Sequence, residues 1–291
     1  MPTPQKTGLI YGLGAYTLWG FFPLYFYHLS AVSPPEVLAH RICWSFLFIS
    51  TIILLLKRTK RLRTAWQSKV TRQTMLLAAA LITINWLVFI WAVGNGRVLE
   101  SSFGYFITPL VSMFLAAVIL KERLDKYRII ACVLAVCGVL WQIGSLGTLP
   151  WVSLVLACSF GCYGLVRKQI NTDPLTGLMV ETGLLLPFAL LYCLWLFWQS
   201  QSQFLSAGLP VTGLLIFSGA LTVIPFWLFA AAMKKLTLST VGFLMYINPT
   251  IQFFTGVYWL DEPFSTQQFI SFCFIWLALV VFSIGAWRVQ S

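Results

Sequence analysis

Long apolar runs, not alternating positions, organise this chain. Ten stretches are almost continuously apolar: 9–27, 37–56, 75–93, 101–120, 127–144, 149–166, 178–198, 213–233, 240–260 and 269–287. A helix needs about 20 mostly apolar residues to cross the hydrocarbon core of a bilayer. A lipid-facing barrel strand would alternate apolar and polar positions, and these runs do not. The pattern predicts an all-α polytopic membrane protein with ten transmembrane helices. The fifth and sixth are short and share the tight connection GSLGTLP (144–150).

Composition removes the soluble alternative. Of 291 residues, 59% are hydrophobic and 9% charged, against about 25% charged in soluble domains. A mean hydropathy of +0.85 leaves too few polar side chains to cover a water-facing surface.

Charge sets the expected orientation. The segment KRTKRLRTAWQSKVTR (57–72) holds seven basic residues and no acid, which predicts a cytoplasmic loop by the positive-inside rule. Counting spans from it puts both termini on the same side. Seventeen of the 19 Lys and Arg residues then fall on the cytoplasmic side, Arg97 and Arg41 being the exceptions. The net charge of +11 is thus a topology signal with affinity for anionic headgroups, and no nucleic acid is expected as a partner. The expected partners are a small-molecule substrate and the lipid bilayer. A homodimer is compatible with the pattern, and no cofactor is implied. All seven cysteines lie inside spans. Cys158 and Cys162, one turn apart, read as small packing residues, with metal binding or a disulfide as the alternative. No cleavable signal peptide is expected, because the first span is longer than a signal core. Gly8 and Gly12 put two small residues on one face of that span, where a neighbouring helix can approach closely.

The chain repeats itself. SSFGYFITPLVSMFLAAVILKE (101–122) has its counterpart in STVGFLMYINPTIQFFTGVYWLDE (239–262). Thirteen positions separate Pro109 from Glu122, and thirteen separate Pro249 from Glu262. Pro35 to Gly104 spans 69 positions and Pro174 to Gly242 spans 68, while the second copy carries two extra residues between its Gly and its Pro. Five spans per half is an odd number, so the halves, 1–144 and 145–291, are expected to enter the membrane from opposite sides. Inverted repeats of this kind are common in secondary transporters, with the substrate site near the midplane between the halves.

Polar and proline residues at that depth mark the expected cavity. Pro109 and Pro249 each remove a backbone N–H and free the carbonyl four residues back, at Tyr105 and Met245. Thr108 and Asn248 precede them. Asn85 lies mid-span with Trp86 and Trp91, and Pro225 is followed by Phe226 and Trp227. The substrate-contacting set is therefore Asn85, Trp86, Trp91, Tyr105, Thr108, Trp227, Tyr246 and Asn248, with helix kinks at Pro109, Pro225 and Pro249. The alternative is a set of structural kinks whose polar side chains close helix–helix hydrogen bonds.

Six stretches carry a likeness: EVLAHRICWS (36–45), NWLVFIWAV (85–93), ESSFGYFITPL (100–110), FGCYGLVRK (160–168), GLMVETGLLLP (177–187) and LSTVGFLMYINPT (238–250). Together they resemble RarD-like members of the EamA family, within the drug/metabolite transporter superfamily, over essentially the whole chain. The resemblance implies a bacterial inner-membrane permease of two EamA repeats. Its family moves amino acids, other metabolites and drugs, mostly outward. The family name records a link to chloramphenicol sensitivity and does not establish a substrate. Thr108 stands where Asn is expected before the proline, and Met245 where Gln is expected before the tyrosine.

Two charges lie well inside spans. Arg41, beside His40, enters from the outer end of span two, and Glu181 enters from the cytoplasmic end of span seven, its repeat counterpart. An ionisable residue inside the membrane is a functional candidate. The bland reading has Arg41 snorkelling to headgroups or to Glu36, Glu100, Asp261 or Glu262, and Glu181 pairing with Arg167, Lys168, Lys234 or Lys235. The functional reading gives His40, Arg41 and Glu181 gating or charge-recognition roles, with Trp44 stacked on Arg41. A direct Arg41–Glu181 pair is not expected across a core about 30 Å thick. No phosphate-cradling GK[ST] loop is present, nor an HExxH motif or a paired set of intramembrane aspartates, so an enzyme or ATP-driven pump is not expected. A secondary transporter is the reading the residues support, and a lipid scramblase-like protein is the alternative.

Overall fold

A computed structural model describes residues 4–57, 59–119, 121, 125–170, 172–236 and 238–288. Glu122, which ends the first repeat motif, lies outside them. Every regular element among the described residues is helical. In chain order they are α1 (Pro4–Gly20), α2 (Phe22–Tyr27), α3 (Pro34–Leu55), α4 (Thr59–Gln67), α5 (Lys69–Gly94), α6 (Val98–Ile119), α7 (Lys126–Leu146), α8 (Trp151–Lys168), α9 (Pro174–Trp198), α10 (Leu209–Met233), α11 (Leu238–Leu244), α12 (Ile247–Phe254), a π-helical turn (Thr255–Trp259) and α13 (Thr266–Arg288).

Local chemistry sets the helix starts. Ser33, in extended backbone, precedes Pro34 and Pro35, which fit a first helical turn. Asp125 accepts from the Arg128 N–H at 3.0 Å, Ser68 from Thr71 at 3.2 Å and Asp173 from Thr176 at 3.3 Å, each cap satisfying a donor with no partner in its helix. Gly147, at φ 67°, ends α7 in the left-handed conformation that glycine takes without strain.

Eight helices among the described residues are long and apolar enough to cross a membrane: Gln5–Tyr27, Pro34–Leu55, Lys69–Gly94, Val98–Ile119, Lys126–Ser145, Pro174–Trp198, Leu209–Met233 and Thr266–Gly285. They match eight of the ten expected spans. The sixth expected span falls on α8, which is shorter and ends in Arg167 and Lys168. The ninth, 240–260, is not one helix. It breaks after Leu244, resumes as α12 and ends in the π turn.

That break corrects the expectation of one continuous ninth span. Pro109 and Pro225 lie inside the unbroken runs of α6 and α10. The interruption of α11–α12 falls upstream of Pro249, where the second repeat carries its two extra residues. A second correction is α4, a helix inside the basic segment where only a loop was expected.

Helix pairing follows the duplication. The pairing of α6 with α8 is matched by α12 with α1, and that of α5 with α8 by α10 with α1. Likewise α3 on α10 is matched by α9 on α5. The pairs α3–α9, α6–α12 and α7–α13 join equivalent spans of the two halves. Some crossings are backbone-close: a Cβ added at Gly104 of α6 would lie 2.8 Å from the Ser153 Cα of α8. The largest buried cluster gathers Phe26, Ile42, Ile82, Phe89, Leu156, Leu178 and Leu215 from α2, α3, α5, α8, α9 and α10. A second gathers Phe103, Phe106, Phe253, Phe272 and Ile275 from α6, α12 and α13.

Candidate functional site

Arg41 lies seven residues beyond Pro34, two turns into α3, and is 2% exposed. Its Nε donates to Thr222 Oγ1 of α10 at 2.7 Å. The guanidinium sits 4.0 Å from the Trp86 ring centroid of α5, with Phe26 at 5.4 Å and Phe22 at 5.6 Å. Among the described residues no carboxylate is paired with it. Three of the four acids expected as its partners are engaged elsewhere. Glu36 accepts from the Gln203 N–H at 2.7 Å and from Ser202 Oγ at 2.9 Å. Glu100 pairs with Arg97. Glu262 accepts from the N–H groups of Val98 and Leu99 at 2.5 and 2.8 Å, capping α6. Burial pushes the Glu262 carboxyl above the usual carboxylate range, and those two N–H groups pull it back. The indole under Arg41 is also not the expected one. Trp86, brought in by α5, takes the place foreseen for Trp44, whose own N–H is buried without a partner among the described residues. His40 stacks on Phe204, centroids 4.6 Å apart, beneath the segment that Glu36 holds.

Asn85 is next to Trp86 and fully engaged. Its Oδ1 accepts from the Tyr105 hydroxyl at 3.0 Å, and its Nδ2 donates to the Leu156 carbonyl and Ser159 Oγ, both at 3.1 Å. Arg41, Trp86, Asn85 and Tyr105 therefore form one buried group, to which Thr222 is added. Thr222 carries no sequence signal, being one more hydroxyl in an apolar run.

The other expected residues gather elsewhere. Thr108 Oγ1 donates to the Gly104 carbonyl at 3.0 Å, the usual return bond of a buried helical threonine. Asn248 Oδ1 accepts from Gln252 Nε2 at 2.8 Å, and Ser102 Oγ donates to the Pro249 carbonyl at 2.8 Å. These residues form the α6–α12 seam. Tyr246 packs beside it with its hydroxyl buried and unpartnered among the described residues. Trp91 sits near the C-terminal end of α5, packed on Trp151 and Arg97. Trp227 is 48% exposed on α10. Neither tryptophan joins the Arg41 group.

Glu181 is seven residues beyond Pro174 in α9 and 1% exposed. Tyr163 donates to its Oε2 at 3.2 Å, and Arg167 Nε lies 3.5 Å from its Oε1. That second contact is an ion pair without hydrogen-bond alignment, which is why Oε1 has no donor of its own. Arg167 Nη1 donates to Thr172 Oγ1 and to Met75 Sδ, each at 3.1 Å. Gly177 makes room for this arrangement: a Cβ there would overlap the guanidinium. Of the four cations expected near Glu181, Arg167 is the partner. Tyr163 and Gly177 stand in sequence stretches that carry the family likeness, and their contacts give them a physical reason.

The profile of the EamA-like transporter family matches residues 6–143 and 149–284. An uncharacterized transporter of Pseudomonas aeruginosa is 40% identical over 283 residues, covering 97% of this chain and 95% of its own. Protein RarD of Escherichia coli is 40% identical over 285 residues, covering 98% and 96%. A solved crystal structure superposes with a TM-score of 0.65 at 16% identity, over 99% of each chain, a likeness of fold.

Proposed function

The chain belongs to the EamA-like transporter family, and we propose that it is a secondary transporter working by alternating access. Its substrate is a small metabolite, an amino-acid-like compound or a drug, and its location is the bacterial inner membrane. On this reading α8 and α11–α12 also cross the bilayer. Ten spans then form two inverted repeats, 1–144 and 145–291, with both termini cytoplasmic. The Arg41 group is the substrate centre, and the Arg167–Glu181–Tyr163 set closes the path at its cytoplasmic end.

One observation carries this reading. A guanidinium 2% exposed has a hydroxyl and aromatic faces around it but no paired carboxylate among the described residues. Burying a charge without its counter-ion is costly. A substrate bearing a carboxylate or similar negative group supplies the missing partner, and Arg presents a planar fork suited to it. The centre joins α3 and α5 of the first half to Thr222 of the second, so its geometry changes whenever the halves move against each other.

Reconstitution tests the reading against the scramblase-like alternative. The purified chain in liposomes is expected to move acid-bearing solutes without accelerating exchange of labelled lipid between leaflets. Lipid exchange without solute flux would replace the transporter reading. The orientation has its own test, single-cysteine labelling on a cysteine-free background. A cysteine at position 60 is expected to resist a membrane-impermeant maleimide in intact cells and to react after lysis. Labelling in intact cells would invert the topology.

A further inference from the structure

Helix α4 is the element that the transport reading leaves without a task. It joins two membrane-spanning helices, so it lies at the membrane surface. One side carries Leu62, Ala65 and Trp66. Ala65 is buried against Met75 and Val180. The Trp66 ring comes within 3.4 Å of where a Cβ on Gly183 would stand, so α4 rests on the stretch of α9 that bears Glu181. The other side exposes Lys60, Arg61 and Arg63. Arg61 reaches Asp173 at 3.9 Å; neither Lys60 nor Arg63 is paired with a carboxylate among the described residues.

Between α3, α4 and α9 runs an open groove of about 460 Å³, within the range of about 300–1,000 Å³ usual for small-ligand sites. Phe46, Leu62 and Met179 form its apolar floor, Trp66 stands at its side, and Arg63 and Gln67 edge it. An apolar trough edged by an unpaired guanidinium and an exposed tryptophan, 41% accessible, matches a ligand with a hydrocarbon tail and an anionic head. Seven basic residues and no acid in 57–72 complement such a head, and tryptophan favours the headgroup depth.

We propose that this groove binds one anionic phospholipid of the adjoining leaflet. Its acyl chain lies against Phe46, Leu62 and Met179. Its phosphate meets Arg63, with Lys60 as a second positive charge nearby.

The test uses the full chain in phosphatidylcholine nanodiscs containing increasing phosphatidylglycerol with brominated acyl chains. Bromine quenches tryptophan at contact, and the Trp66 signal is obtained by difference from Trp66→Phe. Saturable quenching is expected with brominated phosphatidylglycerol and not with brominated phosphatidylcholine. Arg63→Gln is expected to weaken it about fivefold, the upper end for loss of one exposed ion-pair contact. Lys69→Gln, which removes a charge outside the groove, is expected to change it less than twofold. Equal quenching by both lipids would overturn the proposal. So would no effect of Arg63→Gln, or equal losses in the two variants, which would mean diffuse attraction without a site.

Discussion

Arg167→Ala is expected to lower stability by about 3–5 kcal/mol, the usual loss when one member of a buried ion pair is removed. Glu181 would keep its Tyr163 hydrogen bond but lose its one cationic partner among the described residues, at 1% exposure. Reversible unfolding of the detergent-solubilised chain measures the loss. Replacing both members with apolar side chains, Arg167→Met with Glu181→Leu, is expected to recover most of it, because an apolar pair of similar volume satisfies the same space. Gly177→Ala gives a third reading. Its Cβ overlaps the guanidinium, a flexible side-chain end that can move away, so the pair is expected to open while the fold persists. A loss under about 1 kcal/mol for Arg167→Ala would show the pair to be solvated, and the cytoplasmic closure would lose its basis.

Arg41→Met is expected to have the opposite character. Transport should fall at least tenfold in liposomes, while stability should stay level or rise by about 1–2 kcal/mol. The substitution forfeits a cation–π contact worth about 2 kcal/mol when desolvated, but it also removes a buried charge that costs several. A residue kept for structure destabilises when removed; one kept for a ligand need not. Flux and unfolding measured on the same preparation separate the two. A drop in stability beyond about 2 kcal/mol would make Arg41 a packing element and remove the substrate centre.

Much of this architecture was legible from the chain alone, and its failures share a cause. Length and hydropathy located the helices, and the spacing of Pro109, Glu122, Pro249 and Glu262 exposed the duplication. The partners of Arg41 were not readable. Thr222 and Trp86 are brought to it by the packing of α10 and α5, over sequence separations that leave no local trace. Trp91 and Trp227 were assigned by depth alone. Soluble helices announce their inner face through an apolar stripe; helices that are apolar on every side offer no such stripe, so depth could not become direction. Glu181 fared better because Arg167, only 14 positions upstream, was among the four cations expected near it. The break in α11–α12 coincides with the two extra residues between Gly242 and Pro249, while the unbroken apolar run predicts a continuous span there.

Exchanging the two halves maps the principal helix pairings onto one another, α6–α8 onto α12–α1 and α3–α10 onto α9–α5. On the proposed inverted-repeat reading, if each half took up the other's conformation, the same pairings would be rebuilt with the membrane faces reversed. The two arrangements then share one scheme of helix pairing. What splits them is only where the halves differ. The continuous α6 opposes the broken α11–α12, and an arginine stands in α3 where a glutamate stands in α9. A bound anion would have to favour one arrangement by ~5.5 kcal/mol to carry its population from 1:99 to 99:1.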